Sequence, residues 1–235
     1  MNLKKYLKYI DPYTYIDIFL LKHFGEPKKL KIKIIYWIVY LLYSFILAFI
    51  IYKLAGLILA TTLPFATVVS GSMEPSFYRG DIVILSGAKN LHAQKVKIND
   101  NITYKDLAEF AEIEYIYENQ TLEVKSLKIN EEIYLVEDAI KNKYDVVVYK
   151  SNINGKAIIH RIILIIEAND GTFVITKGDN QETNKLIDQD CEIDINTQTI
   201  RKPCLNVYPV NIERLIGKKI GKIPYIGYLK LTLFG

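Results

Sequence analysis

The longest uncharged apolar run in the chain covers residues 34–52, IIYWIVYLLYSFILAFIIY. At 1.5 Å per residue, a helix over this run is about 28 Å long, close to the roughly 30 Å of a bilayer's hydrocarbon core. Tyr36, Trp37 and Tyr52 lie near its ends, where amphipathic aromatic side chains prefer to be. The pattern predicts one membrane-spanning helix, which together with an interfacial continuation covers residues 34–60.

Two alternatives to a single span remain open. The run would also suit a buried helix of a soluble protein, whereas a cleaved signal peptide is disfavoured because 33 residues precede the run. Residues 54–69 form a further apolar stretch, and a second span there would reverse the orientation of the chain. That stretch contains Thr61, Thr62 and Pro64, so it is better suited to lying along the interface.

Basic residues are concentrated before the apolar run. Residues 1–33 contain eight Lys and three acidic residues, whereas the remainder carries 22 basic and 23 acidic residues. Lys-rich flanks stay on the cytoplasmic side of a span. We therefore expect a single-pass protein of the cell membrane, with segment 1–33 in the cytoplasm and residues 61–235 outside. The balanced charge of the larger part argues against nucleic acid as a partner.

The part of the chain after the apolar run has the pattern of a mainly β domain. Short segments rich in β-branched residues are separated by Gly, Asn, Asp and Ser, which predicts strands at 81–85, 121–129, 131–136, 144–149, 157–166 and 172–176. Residues 104–118 have apolar positions at roughly helical spacing, which predicts a helix. The polar stretch 180–202 is expected to be a loop.

The two cysteines give little information by themselves. Cys191 and Cys204 both fall in the presumed external part, where a disulfide is permitted, and two free thiols fit the sequence nearly as well. No Cys and His residues occur at metal-ligand spacing, so neither a structural metal nor another cofactor is expected.

Four sequence blocks carry the chemistry. They are, in chain order, SGSMEPSFYRGDI at 70–82, IIHRI at 158–162, TKGDN at 176–180, and IG at 216–217 with IPYIGY at 223–228. Together they resemble the conserved segments of type I signal peptidases, in the form found in the archaeal and endoplasmic-reticulum branch. The resemblance implies packed antiparallel sheets on one transmembrane helix, with a catalytic domain at 61–235.

The resemblance implies that Ser72 is the nucleophile. A serine hydroxyl attacks a peptide carbonyl only when a neighbouring base takes its proton. Gly71 allows close approach of the substrate backbone. The N–H of Ser72 and the hydroxyl of Ser70 are the expected donors to the oxyanion that develops. Taken alone, Ser-Gly-Ser is usually just a flexible turn.

The general base is expected to be His160. Of the three histidines, His23 precedes the span and His92 lies in a polar stretch, whereas His160 lies in the most apolar predicted strand. A lone histidine there is more often a core residue, but the block resemblance favours catalysis. A Ser–Lys dyad that uses Lys150 or Lys156 remains an alternative, although neither lysine fits the register of the block.

The acid that orients the histidine has two candidates. The family has Gly-Asp-Asn and a second Asp six residues beyond the first, but Lys185 occupies that position here, and Asp188 lies nine residues beyond Asp179. We interpret this as a three-residue insertion in a loop. Asp188 is then the favoured partner of the histidine, and Asp179 is a supporting residue nearby.

A second departure is the distance between Ser72 and His160. Their separation of 88 positions is about twice what the branch usually has, and the surplus falls in residues 86–130, a probable insertion. The sequence allows a cap or a partner-docking element there, and an insertion at a surface loop costs little stability.

The function implied by the resemblance is a membrane-bound serine endopeptidase that removes signal peptides from exported preproteins through an acyl-enzyme. Its expected partners are preprotein signal peptides, the lipid bilayer and the secretion translocon. Two rivals remain. One is a self-cleaving repressor of the same fold, for which residues 1–33 are too short to hold a DNA-binding domain. The other is a catalytically inactive, membrane-anchored relative that acts as a binding module.

Overall fold

A computed structural model describes residues 11–118, 121–194, 199–202, 204–228 and 231–232. The chain divides into two compact units, one ending at Ala55 and the other beginning at Gly56.

The first unit contains a pair of helices, α1 (Pro12–Phe24) and all but the last three residues of α2 (Leu30–Ile58). The two helices are joined by tyrosine hydroxyls, since Tyr43 donates to the carbonyl of Pro12 at 2.9 Å and Tyr36 donates to that of Gly25 at 2.7 Å. An 18-residue window of helix α2 has a mean hydropathy of 2.5, and the helix is long and apolar enough to cross a membrane. The predicted apolar helix is therefore present, and it continues well past residue 52.

The second unit consists mainly of strands. In chain order they are β1 (Phe65–Thr67), β2 (Ile82–Ser86), β3 (Lys95–Lys97), β4 (Glu112–Glu118), β5 (Thr121–Ile129), β6 (Glu132–Leu135), β7 (Val146–Lys150), β8 (Ala157–Ala168), β9 (Gly171–Lys177), β10 (Glu192–Asp194), β11 (Thr199–Lys202), β12 (Val210–Asn211) and β13 (Leu215–Ile223). A short helix, α3 (Val136–Lys141), follows β6.

The larger sheet has the order β1-β2-β13-β7-β8-β9-β12, and β3 adds to β8 as its one parallel pair among the described strands. The middle residues of its central strands β7, β8 and β9 are buried, and their Val and Ile side chains contribute to the core. The prediction of a mainly β fold of antiparallel sheets with one N-terminal apolar helix is confirmed. Each of the six predicted strands is present, with ends shifted by at most a few residues.

The smaller sheet, β4-β5-β6, contains much of the 86–130 segment. The prediction of a helix at 104–118 is wrong, because the segment forms a single 3-10 turn at Leu107–Glu109 and then strand β4. Ile113 and Tyr115 are partly buried, whereas the intervening Glu114 is exposed, so the alternation has a period of two. Pairing with β5 stabilises this alternation over the helical alternative.

The prediction of a loop at 180–202 is partly wrong. Most of the segment is irregular, but β10 and β11 pair as a short antiparallel hairpin, and residues 195–198 lie outside the described part. Cys191 and Cys204, which the sequence left as either a disulfide or two thiols, form a disulfide.

Candidate active site

Ser72 lies in the turn between β1 and β2, and residues 178–180 hold its backbone. The amide side chain of Asn180 donates to the carbonyl of Gly71 at 2.8 Å, and the backbone N–H of Asn180 donates to the carbonyl of Ser72 at 3.0 Å. A side chain at Gly178 would approach that same Ser72 carbonyl to 2.4 Å, so only glycine permits this close packing. The serine is thus fixed on a rigid turn.

His160 connects Ser72 to Asp188. It lies on β8, opposite Val147 of β7, and only 2% of it is exposed. Its Nε2 is 3.0 Å from the Ser72 Oγ, and its Nδ1 is 2.6 Å and 2.8 Å from the two carboxylate oxygens of Asp188. An ionised carboxylate accepts only, so Nδ1 carries the proton and Nε2 is left to accept from the serine hydroxyl.

Asp188 is held by two further side chains. The hydroxyls of Tyr149 and Thr176 both donate to its Oδ2, at 2.8 Å and 2.7 Å. Burial, and then the negative charge of Asp188, raises the pKa of Tyr149 well above its usual range, so this tyrosine remains a donor. The backbone carbonyl of Asp188 accepts from the N–H groups of Leu205 and Asn206. The carboxylate is buried, yet its polar groups are satisfied.

Asp179, the other acid predicted for the site, lies in a separate ion pair. It accepts from Arg161 Nε at 2.8 Å and Nη2 at 2.6 Å, and from the hydroxyl of Ser76 at 2.5 Å. Arg161 follows His160 on β8, and Ser76 lies in the turn that contains Ser72. The ion pair and the Ser76 hydrogen bond therefore link the histidine's strand to that turn. The structure therefore brings Ser72, His160 and Asp188 into one hydrogen-bonded line and places Asp179 beside it.

Ser70 lies next to Ser72, with their hydroxyl oxygens 3.3 Å apart. The backbone N–H of Ser72 donates to no acceptor among the described residues. A free N–H and a neighbouring hydroxyl are what an oxyanion site needs.

The other candidates for a base lie elsewhere. His92 is exposed, and its ring contacts the carbonyl of Asn142. Lys150 and Lys156 are exposed at the ends of β7 and β8. Within the described ranges, no group of three or more His, Cys, Asp or Glu side chains could hold a metal ion.

A cavity of about 380 Å³ opens beside Ser72 and His160. Two strand edges border it. One is β1, at the end of the large sheet, and the other is the first part of β8, which precedes the β8–β9 pairing that begins at Arg161. The side chains around the cavity are mostly apolar, namely Leu63, Phe65, Ala66, Val68, Val69, Met73, Val148, Ala157, Ile158, Ile159 and Leu205. An extended peptide fits such a groove between two open edges.

Three residues of the site were not assigned a role from the sequence, namely Asn180, Tyr149 and Thr176. Asn180 and Thr176 fall within the TKGDN block, so the block itself was the signal for them. Tyr149 carried no such signal, because a tyrosine in an apolar strand is typical of a core residue.

Comparisons with known proteins point to one kind of relative. The chain is 27% identical over 195 residues to the signal peptidase complex catalytic subunit of Candida tropicalis, which covers 82% of this chain and 79% of that protein. It is 25% identical over 187 residues to the corresponding subunit of Plasmodium falciparum, covering 79% of this chain and 67% of that protein. It is 29% identical over 186 residues to an uncharacterized protein of Methanocaldococcus jannaschii, covering 71% of this chain and 81% of that protein. A scan against protein-family models finds no match.

Most of the chain is thus homologous to catalytic subunits of signal peptidase complexes. The resemblance that the four sequence blocks indicated is confirmed.

Proposed function

We propose that the chain is a membrane-anchored serine endopeptidase that removes N-terminal signal peptides from exported preproteins. The hydrogen-bonded line from Ser72 through His160 to Asp188 carries this proposal. It lies at the border of a peptide-sized groove, in a chain whose relatives are named as signal peptidase catalytic subunits. Geometry and relationship therefore support the same activity.

In the proposed mechanism, Ser72 Oγ attacks the carbonyl carbon of the scissile bond while His160 Nε2 accepts the hydroxyl proton. The imidazolium that forms is stabilised by Asp188 at Nδ1. His160 then gives its proton to the leaving amine, and the peptide bond breaks to leave an acyl-enzyme on Ser72. A water molecule, deprotonated by the same histidine, hydrolyses the ester and restores the serine. No cofactor enters any of these steps.

The oxyanion of each tetrahedral intermediate is proposed to accept hydrogen bonds from the Ser72 N–H and the Ser70 hydroxyl. Removal of one such donor costs about 3–4 kcal/mol of barrier in other hydrolases. The hydrogen bonds that Asn180 donates to the carbonyls of Gly71 and Ser72 support this assignment, because they fix the peptide plane that carries the Ser72 N–H.

The substrate is proposed to bind as an extended strand between β1 and the start of β8. Backbone groups of the substrate would pair with the open edges, and its side chains would enter the apolar wall near Val69 and Ile158. We propose that this apolar wall accepts small side chains, in keeping with the Ala-x-Ala pattern before a signal peptide's cleavage point.

Anchoring by α2 would keep the enzyme in the membrane through which preproteins emerge. Two of the relatives named above are catalytic subunits of a signal peptidase complex. We therefore include partner subunits and the secretion translocon in the proposal, with segment 1–33 in the cytoplasm and the β domain outside.

The alternative function, an inactive binding module, rests mainly on the altered spacing between Asp179 and Asp188. The contact between Asp188 and His160 supports the peptidase instead, because the longer spacing still delivers a carboxylate to Nδ1.

The test is cleavage of a preprotein with an Ala-x-Ala site by the purified, detergent-solubilised full chain, beside Ser72→Ala and His160→Ala. We expect the parent to cut at that site and both variants to lose activity by about 10⁶-fold, as when a catalytic serine or histidine is removed from a related triad. Cleavage by Ser72→Ala at the parental rate would contradict the assignment. Absence of cleavage by the parent, alone and with added partner subunits, would favour the binding module.

A further inference from the structure

We infer that the hairpin β4–β5 of the 86–130 insertion holds the loop that carries Asp188, and that Tyr115 is the positioning residue in this contact. The effect on catalysis rests on the proposed function, whereas the effect on the structure of the loop rests on the contacts of the hairpin. The sequence left the 86–130 segment as either a cap or a docking element.

The hairpin contacts the acid loop on both sides of Asp188. The hydroxyl of Tyr115, on β4, donates to the Asp190 carboxylate at 2.9 Å and 3.0 Å. On β5, the N–H of Val124 donates to the carbonyl of Lys185 at 3.1 Å. The Lys185 amine in turn donates to the hydroxyl of Thr121 at 2.5 Å. The hairpin therefore holds the loop three residues before Asp188 and two residues after it.

Between these two anchors the loop is buried and has little freedom. Ile187, Asp188 and Asp190 are all at most 6% exposed. The N–H of Asp190 donates to the Ile187 carbonyl at 3.1 Å, so these residues form a tight turn around Asp188. We therefore expect a shift of Asp190 to displace the carboxylate that contacts His160.

A buried lysine adds an electrostatic link between the hairpin and this loop. Burial lowers the pKa of Lys177, while the carboxylates of Glu123, Asp179 and Asp188 act to raise it. Glu123 belongs to β5 of the insertion, so the hairpin contributes one of the three negative charges that favour the protonated amine. The carboxylates of Glu123 and Asp188 therefore both act on the Lys177 amine.

The sequence departs from the family pattern in the acid loop and in the 86–130 insertion, and these two segments contact each other here. The acid loop is three residues longer than the resemblance predicts, and a longer loop has more conformations to lose on folding. The insertion places two strands against that loop. We infer that the hairpin offsets the freedom introduced by the longer spacing and keeps Asp188 in line with His160.

The test compares Tyr115→Phe with Tyr134→Phe in the full chain. Tyr134 is a matched control, since it lies in the same small sheet and its hydroxyl also donates to a carboxylate, that of Glu132, away from the acid loop. We expect Tyr115→Phe to lower kcat by about tenfold or more with KM changed by less than about twofold, as when a group is displaced beside the chemistry. Tyr134→Phe should leave both constants at the parental values.

Hydrogen exchange of the 185–190 backbone amides is measured on the same proteins. Faster exchange there in Tyr115→Phe, but not in Tyr134→Phe, is the expected result. Equal exchange and equal kcat in the two variants would overturn the inference. If the parent cleaves no preprotein, the proposed function fails, and the exchange experiment alone decides whether the hairpin holds the loop.

Discussion

Asp188 and Asp179 are both buried, but their oxygens have different partners. Asp188 accepts from His160, Tyr149 and Thr176, and His160 in turn contacts the Ser72 hydroxyl. Asp179 instead forms a two-pronged pair with Arg161. The first arrangement suits control of a histidine tautomer, and the second suits fixing one segment against another.

Substitution by asparagine should separate these two roles. In Asp188→Asn the amide can donate toward Nδ1, which favours the wrong tautomer, so we expect kcat to fall by about 10⁴-fold. In Asp179→Asn the nearly buried guanidinium loses its counter-charge, and the expected effect is a loss of about 3–5 kcal/mol of stability. Initial rates and thermal melts in detergent measure both. A folded Asp179→Asn protein without activity, beside an active Asp188→Asn, would reverse the assignment.

At the scale of elements, local pattern was sufficient for six of the thirteen described strands. The strand at 121–129 was predicted with the observed ends, because its β-branched residues are bounded by the polar residues that break strands. The segment 104–118 failed because EIEYIYE fits both a helical and an alternating pattern over so short a length. Only its pairing with β5 decides between them, and the sequence does not show that pairing.

The site residues that lie within the four sequence blocks could be predicted from the sequence. Ser72, His160 and Ser70 lie in the predicted blocks, and the structure brings them together. Asp188 was favoured over Asp179 by interpreting the longer spacing as a loop insertion, because a loop of altered length can return to the same point in space. Tyr149 was not predicted, since its bond to Asp188 joins residues 39 apart in the chain.

The turn between β8 and β9 also anchors the segment that precedes β4. Asp170 accepts from the N–H groups of Ile102 at 3.0 Å and Thr103 at 2.8 Å. Burial acts to raise the pKa of Asp170, but hydrogen bonds outweigh it and lower the pKa from 3.8 to about 2; the side-chain bond of Thr103 contributes most, followed by the backbone bonds. A carboxylate with a lowered pKa stabilises the fold above its ordinary pKa, and this contribution is lost as the pH falls from about 4 toward 2.

Asp170→Asn should therefore lower the melting temperature at pH 6, with a difference from the parent that shrinks as the pH falls below 4. The measurement is a series of thermal melts between pH 6 and pH 2. Glu213→Gln, an exposed acid on another turn, is the control and should track the parent throughout. A difference that stays constant down to pH 2 would show that the charge of Asp170 does not contribute.

At the scale of the whole molecule, two independent features agree on orientation. The lysines before α2 favour a cytoplasmic N-terminal segment. The disulfide between Cys191 and Cys204 belongs to the unit that begins at Gly56, and disulfides persist in oxidising compartments outside the cytoplasm. Both therefore favour a β domain on the outer side of the membrane.

Single cysteines test this orientation, because the two native cysteines are already bonded to each other. Lys28 in the first unit and Lys89 in the second are both exposed. With a membrane-impermeant maleimide on intact cells, Lys89→Cys should be labelled and Lys28→Cys should not, whereas both should react after permeabilisation. The unsubstituted chain gives the background. Labelling of Lys28→Cys alone would reverse the orientation, and the Ser72 site would then lie on the side where signal peptides do not emerge.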